Sequence, residues 1–142
     1  VLGRYLKAKK RPEDSEEILR AGVANVPGNV ILHIQLADLL LTRGEFEGAL
    51  AEFEVVHDLQ PDSLGAANNL ASMLADFHSE NADLVDRAFS IAQRLSSSKN
   101  PAHMDTYGWI LYLRGDYGRA LRSLAPRLSN YRPAPGYSTM PA

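Results

Sequence analysis

The chain contains no cysteine. That excludes disulfide staples, thiolate zinc sites and a cysteine nucleophile. It does not fix the compartment, because a periplasmic and a cytosolic protein can equally do without the residue. No apolar run approaches the roughly 18–20 residues that span a bilayer. The opening VLGRYLKAKKR is too short and too interrupted by charge to act as a secretory signal. Catalytic signatures are missing as well. His33, His57, His78 and His103 lack zinc-protease spacing, and His57 and Asp58 are helix neighbours that point in different directions. There is no phosphate loop and no dinucleotide glycine fingerprint. Glu45, Glu47, Glu52 and Glu54 read as a solvated outer face. An enzyme is not expected, and neither is a cofactor or a metal.

What is present is enough for a folded domain. A chain of 142 residues, 45% hydrophobic and 23% charged, can bury a sizeable core. Its net charge of −2 hides an uneven spread. Arg4, Lys7, Lys9, Lys10 and Arg11 stand in residues 1–11 with no acid, whereas residues 12–62 hold 11 acids against Arg20 and Arg43. Basic ends can attract nucleic acid or anionic lipid. No aromatic-basic motif accompanies them, so they read as solvated helix faces and no nucleic-acid partner is expected.

Glycine is the unusual presence. DTYGWILYLRGDYGRAL, residues 105–121, carries three glycines within helical hydrophobic spacing. Each is less favourable than alanine by about 1 kcal/mol in a helix interior. Self-comparison supplies the reason. Residues 32–53 align with 103–124 at an offset of 71: Leu36-Ala37 falls on Tyr107-Gly108, Leu40 on Leu111 and Arg43-Gly44 on Arg114-Gly115. Phe46 then falls on Tyr117, Ala49-Leu50 on Ala120-Leu121 and Phe53 on Leu124. That offset is close to two units of about 34 residues. The unit between shows Leu70-Ala71, Leu74, Ala88 and Ala92, with an insertion near 78–82. A partial copy upstream has Leu2-Gly3 and Leu6, so the chain opens inside a helix and the parent protein is expected to extend toward its N-terminus.

These residues resemble the tetratricopeptide repeat family. The middle unit carries its pattern in Leu36, Ala37, Leu40, Gly44, Phe46, Ala49, Phe53 and Pro61, and the last unit in Gly108, Gly115, Tyr117 and Ala120. The resemblance implies an all-α fold, a right-handed superhelical solenoid of antiparallel helix pairs over residues 1–128. Its units are a partial one at 1–29, then 30–63, 64–100 and 101–128, and a Pro/Gly/Ser-rich tail covers 129–142. Helices are expected near 1–9, 13–26, 30–43, 46–59, 63–78, 82–96, 101–114 and 117–128, with Pro126 kinking or shortening the last. Gly3, Ala37, Ala71 and Gly108 would let the first helix of each pair approach the second, and Ala49, Ala88 and Ala120 would serve the same contact from the other side. Gly44 and Gly115 would end helices in the left-handed conformation. Phe46 and Tyr117 would plug the turns, and Asp62, Ser63 and Asn100 would cap helix starts.

In this family the first helix of each unit lines the concave side. The resemblance combined with helical spacing places Arg4 and Lys7 there, then Ile31, Ile34, Asp38 and Leu41, then Asn68, Asn69, Ser72 and Asp76, then Asp105, Trp109 and Tyr112. The sole tryptophan, Trp109, either packs between helices or against the tail, or forms with Tyr112 an amphipathic anchor for a partner. A carboxylate clamp, known in some members, is argued against: only Asn69 matches it, and its basic positions hold Ile34, Asp38, Ala102 and Thr106. The terminal unit, through Asp105, Thr106, Gly108, Trp109, Leu111, Tyr112, Arg114, Gly115, Asp116 and Tyr117, is also similar to bacterial members from exopolysaccharide-export loci and PEP-CTERM-linked lipoproteins. That implies a periplasmic or membrane-tethered scaffold. The expected function is a non-enzymatic scaffold holding a peptide or helix of a protein partner in its groove, with no membrane insertion by this segment. The alternatives are a spacer or cap of a longer superhelix that self-associates through its ends, and a carbohydrate-binding module using Trp109 and Tyr112.

Overall fold

Local signals place each helix before any tertiary contact is needed. The computed structural model describes residues 12–128, with side chains from 14 to 125. The α-helices are α1 (Pro12–Asn25), α2 (Val30–Thr42), α3 (Phe46–Leu59), α4 (Leu64–Phe77), α5 (Ala82–Ala92), α6 (Pro101–Leu113) and α7 (Tyr117–Leu128). Among the described residues there is no strand, so the class is all-α. The expected helix at 1–9 with Gly3, Arg4 and Lys7, and the tail 129–142, lie outside the described residues.

Short polar side chains open the helices. Asn29 Oδ1 accepts from the Leu32 amide at 3.2 Å, Ser63 Oγ from Ala66 at 3.2 Å, Asn81 Oδ1 from Leu84 at 3.2 Å and Asn100 Oδ1 from Ala102 at 3.0 Å. Each satisfies a donor that the first turn leaves without a partner, worth about 1 kcal/mol. Asp62 does not cap. It lies one residue too early and faces Arg94 at 3.4 Å instead.

Glycine closes two of them in the same way. Gly44 and Gly115 have φ of +76° and +80°. The Gly44 amide donates to Leu41 O and the Glu45 amide to Leu40 O, at 3.0 and 2.8 Å. The Gly115 and Asp116 amides repeat the pattern to Tyr112 O and Leu111 O, both at 2.9 Å. This is the Schellman arrangement, which satisfies the last carbonyls through a residue in the left-handed region. One boundary departs from expectation. The helix expected over 82–96 stops at Ala92 and tightens into a 3₁₀ turn, Gln93–Ser97, that turns Leu95 into the core. Ser96, Ser97 and Ser98 favour that break because serine hydroxyls compete with helical backbone bonds. The last helix spans Tyr117–Leu128 as expected, and Pro126 does not shorten it.

Packing joins neighbours. The closest pairings are α2 with α3, α4 with α5 and α6 with α7, each pair a hairpin, and α3 rests on α4 while α4 and α5 rest on α6. One continuous core runs from Leu36 and Leu40 through Leu70 and Leu74 to Ile110 and Leu111. Small residues sit at the crossings: Ala37, Ala49, Ala71 and Ala88 are fully buried and Ala120 nearly so. At Gly108 even a methyl group would be too much, since its Cβ would lie 2.8 Å from Leu124 Cγ. Between hairpins, arginines form ties. Arg43 bonds Glu16 on α1, Arg87 bonds Glu54 at 2.7 Å, and Arg114 bonds Asp86 at 2.8 Å while lying 3.8 Å over the Phe89 ring. Exposed pairs of this kind are worth about 0–1 kcal/mol each, so they set register more than stability.

Candidate functional site

The helical repeat puts Trp109 and Tyr112, three residues apart, on one face of α6. Their rings stack at 5.4 Å between centroids and 14° between planes, and Tyr112 meets Tyr117 at 5.3 Å in a tilted contact. From α7, Ala120, Leu121 and Leu124 complete a cleft of about 610 Å³, with Asp105 at its margin. Trp109 is 40% exposed, Tyr112 51%, Leu121 60% and Tyr117 63%. Trp109 therefore does not fill the space between helices. The cleft is almost entirely hydrocarbon, with the indole N–H, the phenol groups and the Asp105 carboxylate as its polar handles. Such a site suits an apolar side chain accompanied by a few hydrogen-bonding groups.

The residues expected to share one groove divide between two cavities. Asp105, Trp109 and Tyr112 line the cleft just described. Asp38, Leu41, Asn68, Asn69 and Ser72 surround a smaller cavity of about 220 Å³, together with Phe53 and Met73. In that cavity's wall Asn68 Oδ1 is buried with no hydrogen-bond partner among the described residues. Ser72 donates to the exposed Asp76 carboxylate at 3.1 Å. Ile34 is half-buried on α2 and Ile31 is exposed.

Three further assignments are corrected by the side-chain positions. The terminal cleft is not built from first helices alone, because Tyr117, Ala120, Leu121 and Leu124 come from the second helix of the hairpin. Phe46 and Tyr117 do not plug their turns: both are exposed, Phe46 stacking on Phe77 of α4 at 4.0 Å and Tyr117 leaning on Tyr112. Nor are the α3 carboxylates a bare solvated face. Glu52 accepts from buried His33 at 2.6 Å, Glu54 pairs with Arg87, Glu45 with Arg43 at 3.2 Å and Glu47 with His78 at 3.1 Å.

Three of the histidines, His33, His78 and His103, have structural partners. His33 Nδ1 lies 2.6 Å from Glu52 Oε2 and its Nε2 lies 2.8 Å from the Pro27 carbonyl. His103 Nδ1 lies 2.9 Å from Ser98 Oγ. Among the described residues no group of three or more His, Asp or Glu side chains could hold a metal ion. Also among them, no helix is long and apolar enough to cross a membrane. No model of a protein family matches the chain, and no curated protein sequence matches it either.

Proposed function

We propose that the chain is a non-enzymatic interaction scaffold of the tetratricopeptide kind, a right-handed superhelix of antiparallel helix pairs that holds a peptide or helix of a protein partner. The observation that carries this reading is the aromatic cleft on α6 and α7, which no helix among the described residues covers. Fully burying a side chain of this size is worth about 1.5–3 kcal/mol. Covering the exposed parts of Trp109, Tyr112, Tyr117 and Leu121 therefore supplies several kcal/mol. Association itself costs about 4–15 kcal/mol, so a partner must bring apolar surface of its own to bind at micromolar concentration. The narrower resemblance of the terminal unit suggests a bacterial envelope or polysaccharide-export assembly as the setting.

The test is selection of binders from a displayed peptide library against the full chain. Selected peptides should lose at least tenfold in affinity on Trp109→Ala or Tyr112→Ala, with helicity and melting unchanged. Peptides that bind both variants as well as the parent would remove the cleft from the site. A second reading, a spacer that self-associates through its ends, is favoured by Ile18, Val26 and Ile31, which are exposed on α1, α2 and the link between them. Concentration-dependent sedimentation that is indifferent to Trp109→Ala would support it.

A further inference from the structure

The internal repeat shows what kind of object the terminal cleft accepts. Subtracting the 71-residue offset from its lining residues Asp105, Trp109, Tyr112, Tyr117, Leu121 and Leu124 gives Ile34, Asp38, Leu41, Phe46, Leu50 and Phe53. In that earlier hairpin the corresponding surface is covered by helix α4. Asp38, Leu41 and Phe53 enclose a cavity with Asn69, Ser72 and Met73 of α4, and Phe46 stacks on Phe77 at its end. Exposure follows the cover position by position: Phe53 is buried where Leu124 is half-buried, Leu50 is half-buried where Leu121 is 60% exposed, and Phe46 is 41% exposed where Tyr117 is 63%.

We infer that the α6–α7 cleft is the seat of an amphipathic helix contributed by a separate protein, lying against α7 as α4 lies against α3. The inference rests on the scaffold reading and replaces its open choice between extended peptide and helix. The internal seat also defines the visitor's chemistry. Asn69, Met73 and Phe77 recur every four residues on α4, so the contacting stripe is uncharged and ends in an aromatic ring that meets Tyr117 as Phe77 meets Phe46. The sequence of residues 129–142 offers no proline-free run as long as the Asn69–Phe77 span, being divided by Pro133, Pro135 and Pro141. The lining of the terminal seat is almost entirely apolar, more so than that of the internal one, although Asp105 takes the place of Ile34 where Trp109 and Tyr112 take those of Asp38 and Leu41. That is the reverse of the polar outer face that closes a helical array.

The probe is the α4 sequence itself, residues 63–78, appended to the full chain after residue 142 through a Gly/Ser linker. Tethering raises its effective concentration to roughly millimolar and offsets the cost of nucleating an isolated helix. Trp109 is the sole tryptophan and reports directly. Acrylamide quenching should fall at least threefold with a blue-shifted emission. Both effects should vanish on Leu121→Lys in the chain, or when the phenylalanine of the appended copy becomes alanine, with circular dichroism showing the array intact. No protection, or equal protection by a scrambled appendage, overturns the inference. So does a parent chain whose tryptophan is already shielded, either in a dimer seen by sedimentation or by residues 129–142 as judged from their deletion. If library-selected extended peptides still bind through Trp109 while the helix fails, the scaffold reading stands and only the helical seat falls.

Discussion

The hairpins α2–α3 and α6–α7 are one design executed twice with two different outer surfaces. Inside, they match. Leu40 and Leu111 fill the same place at 1% and 0% exposure, Ala49 and Ala120 sit at the same crossing, and Gly44 and Gly115 end the first helix with the same pair of hydrogen bonds. Outside, they diverge where a neighbouring helix would touch, with Asp38 against Trp109 and Leu41 against Tyr112. The difference teaches that the residues closing a hairpin are separate from those choosing what lies on it. The outer surface can change without disturbing the pair.

The largest effect that would break this equivalence is in the core. Leu40→Ala and Leu111→Ala each remove a fully buried side chain, and each should cost about 2–5 kcal/mol through lost transfer energy and the cavity left behind. Thermal unfolding followed by circular dichroism should show similar losses for the two. A loss at Leu111 below half that at Leu40 would mean the last hairpin packs by different rules. Next come the turns. Gly44→Ala and Gly115→Ala force a Cβ into the left-handed region, at about 1–2 kcal/mol each. Neither glycine has a neighbour within 4 Å of the added carbon, so the strain is conformational alone. Asn at either position should recover part of the loss, because its side chain tolerates that region; alanine and asparagine behaving alike would remove backbone strain as the cause.

A smaller effect sharpens the contrast at the helix crossing. At the positions where the last hairpin sets Gly108 against Leu124, the α2–α3 hairpin has Ala37 and the buried Phe53. In Gly108→Ala, overpacking costs about 1–3 kcal/mol and the gain in helix propensity returns about 1 kcal/mol. The net loss should be about 1 kcal/mol, because Leu124 borders the cleft and can swing toward it. The single-tryptophan emission should then shift as the cleft is reshaped, even where melting barely moves. An unchanged emission with an unchanged melting temperature would show that the close approach at Gly108 is unnecessary.

Helix positions were legible in the sequence because their causes are local. Asn29, Ser63 and Asn100 cap within three residues, and Gly44 and Gly115 close within a turn. The cleft was half legible. Trp109 and Tyr112 share a face by spacing alone. Tyr117 read as a turn plug, and Leu121 and Leu124 only as copies of Leu50 and Phe53, since which side of α7 is covered depends on a neighbouring helix and not on α7 itself. The 71-residue offset held the missing signal, because it maps all three onto residues of α3, the helix that α4 packs against. The arginine ties were not legible. Arg43 meets Glu16 from 27 residues away and Arg114 meets Asp86 from 28, and no local pattern selects those acids among many.

Those two ties give the smallest and most conditional test. Both arginines follow the last residue of a hairpin's first helix and reach back to the preceding helix. At one of them the carboxyl is tuned by its neighbours: Glu16 is held below its ordinary value of 4.5, chiefly by the hydrogen bond from Arg20 at 2.8 Å and further by the Arg43 charge, with desolvation opposing. A carboxyl that ionises more readily in the folded chain stabilises it fully above the unfolded value. That contribution is lost as pH falls through the lowered folded value. Melting temperatures of the parent and Glu16→Gln should therefore differ most near neutral pH and converge on acidification below the ordinary carboxylate range. Added salt should narrow the neutral-pH gap, since the pair is reached by solvent. A gap that persists unchanged in acid would mean that Glu16 holds α1 against α2 by packing and not by charge, and the likeness between the two ties would then be one of position only.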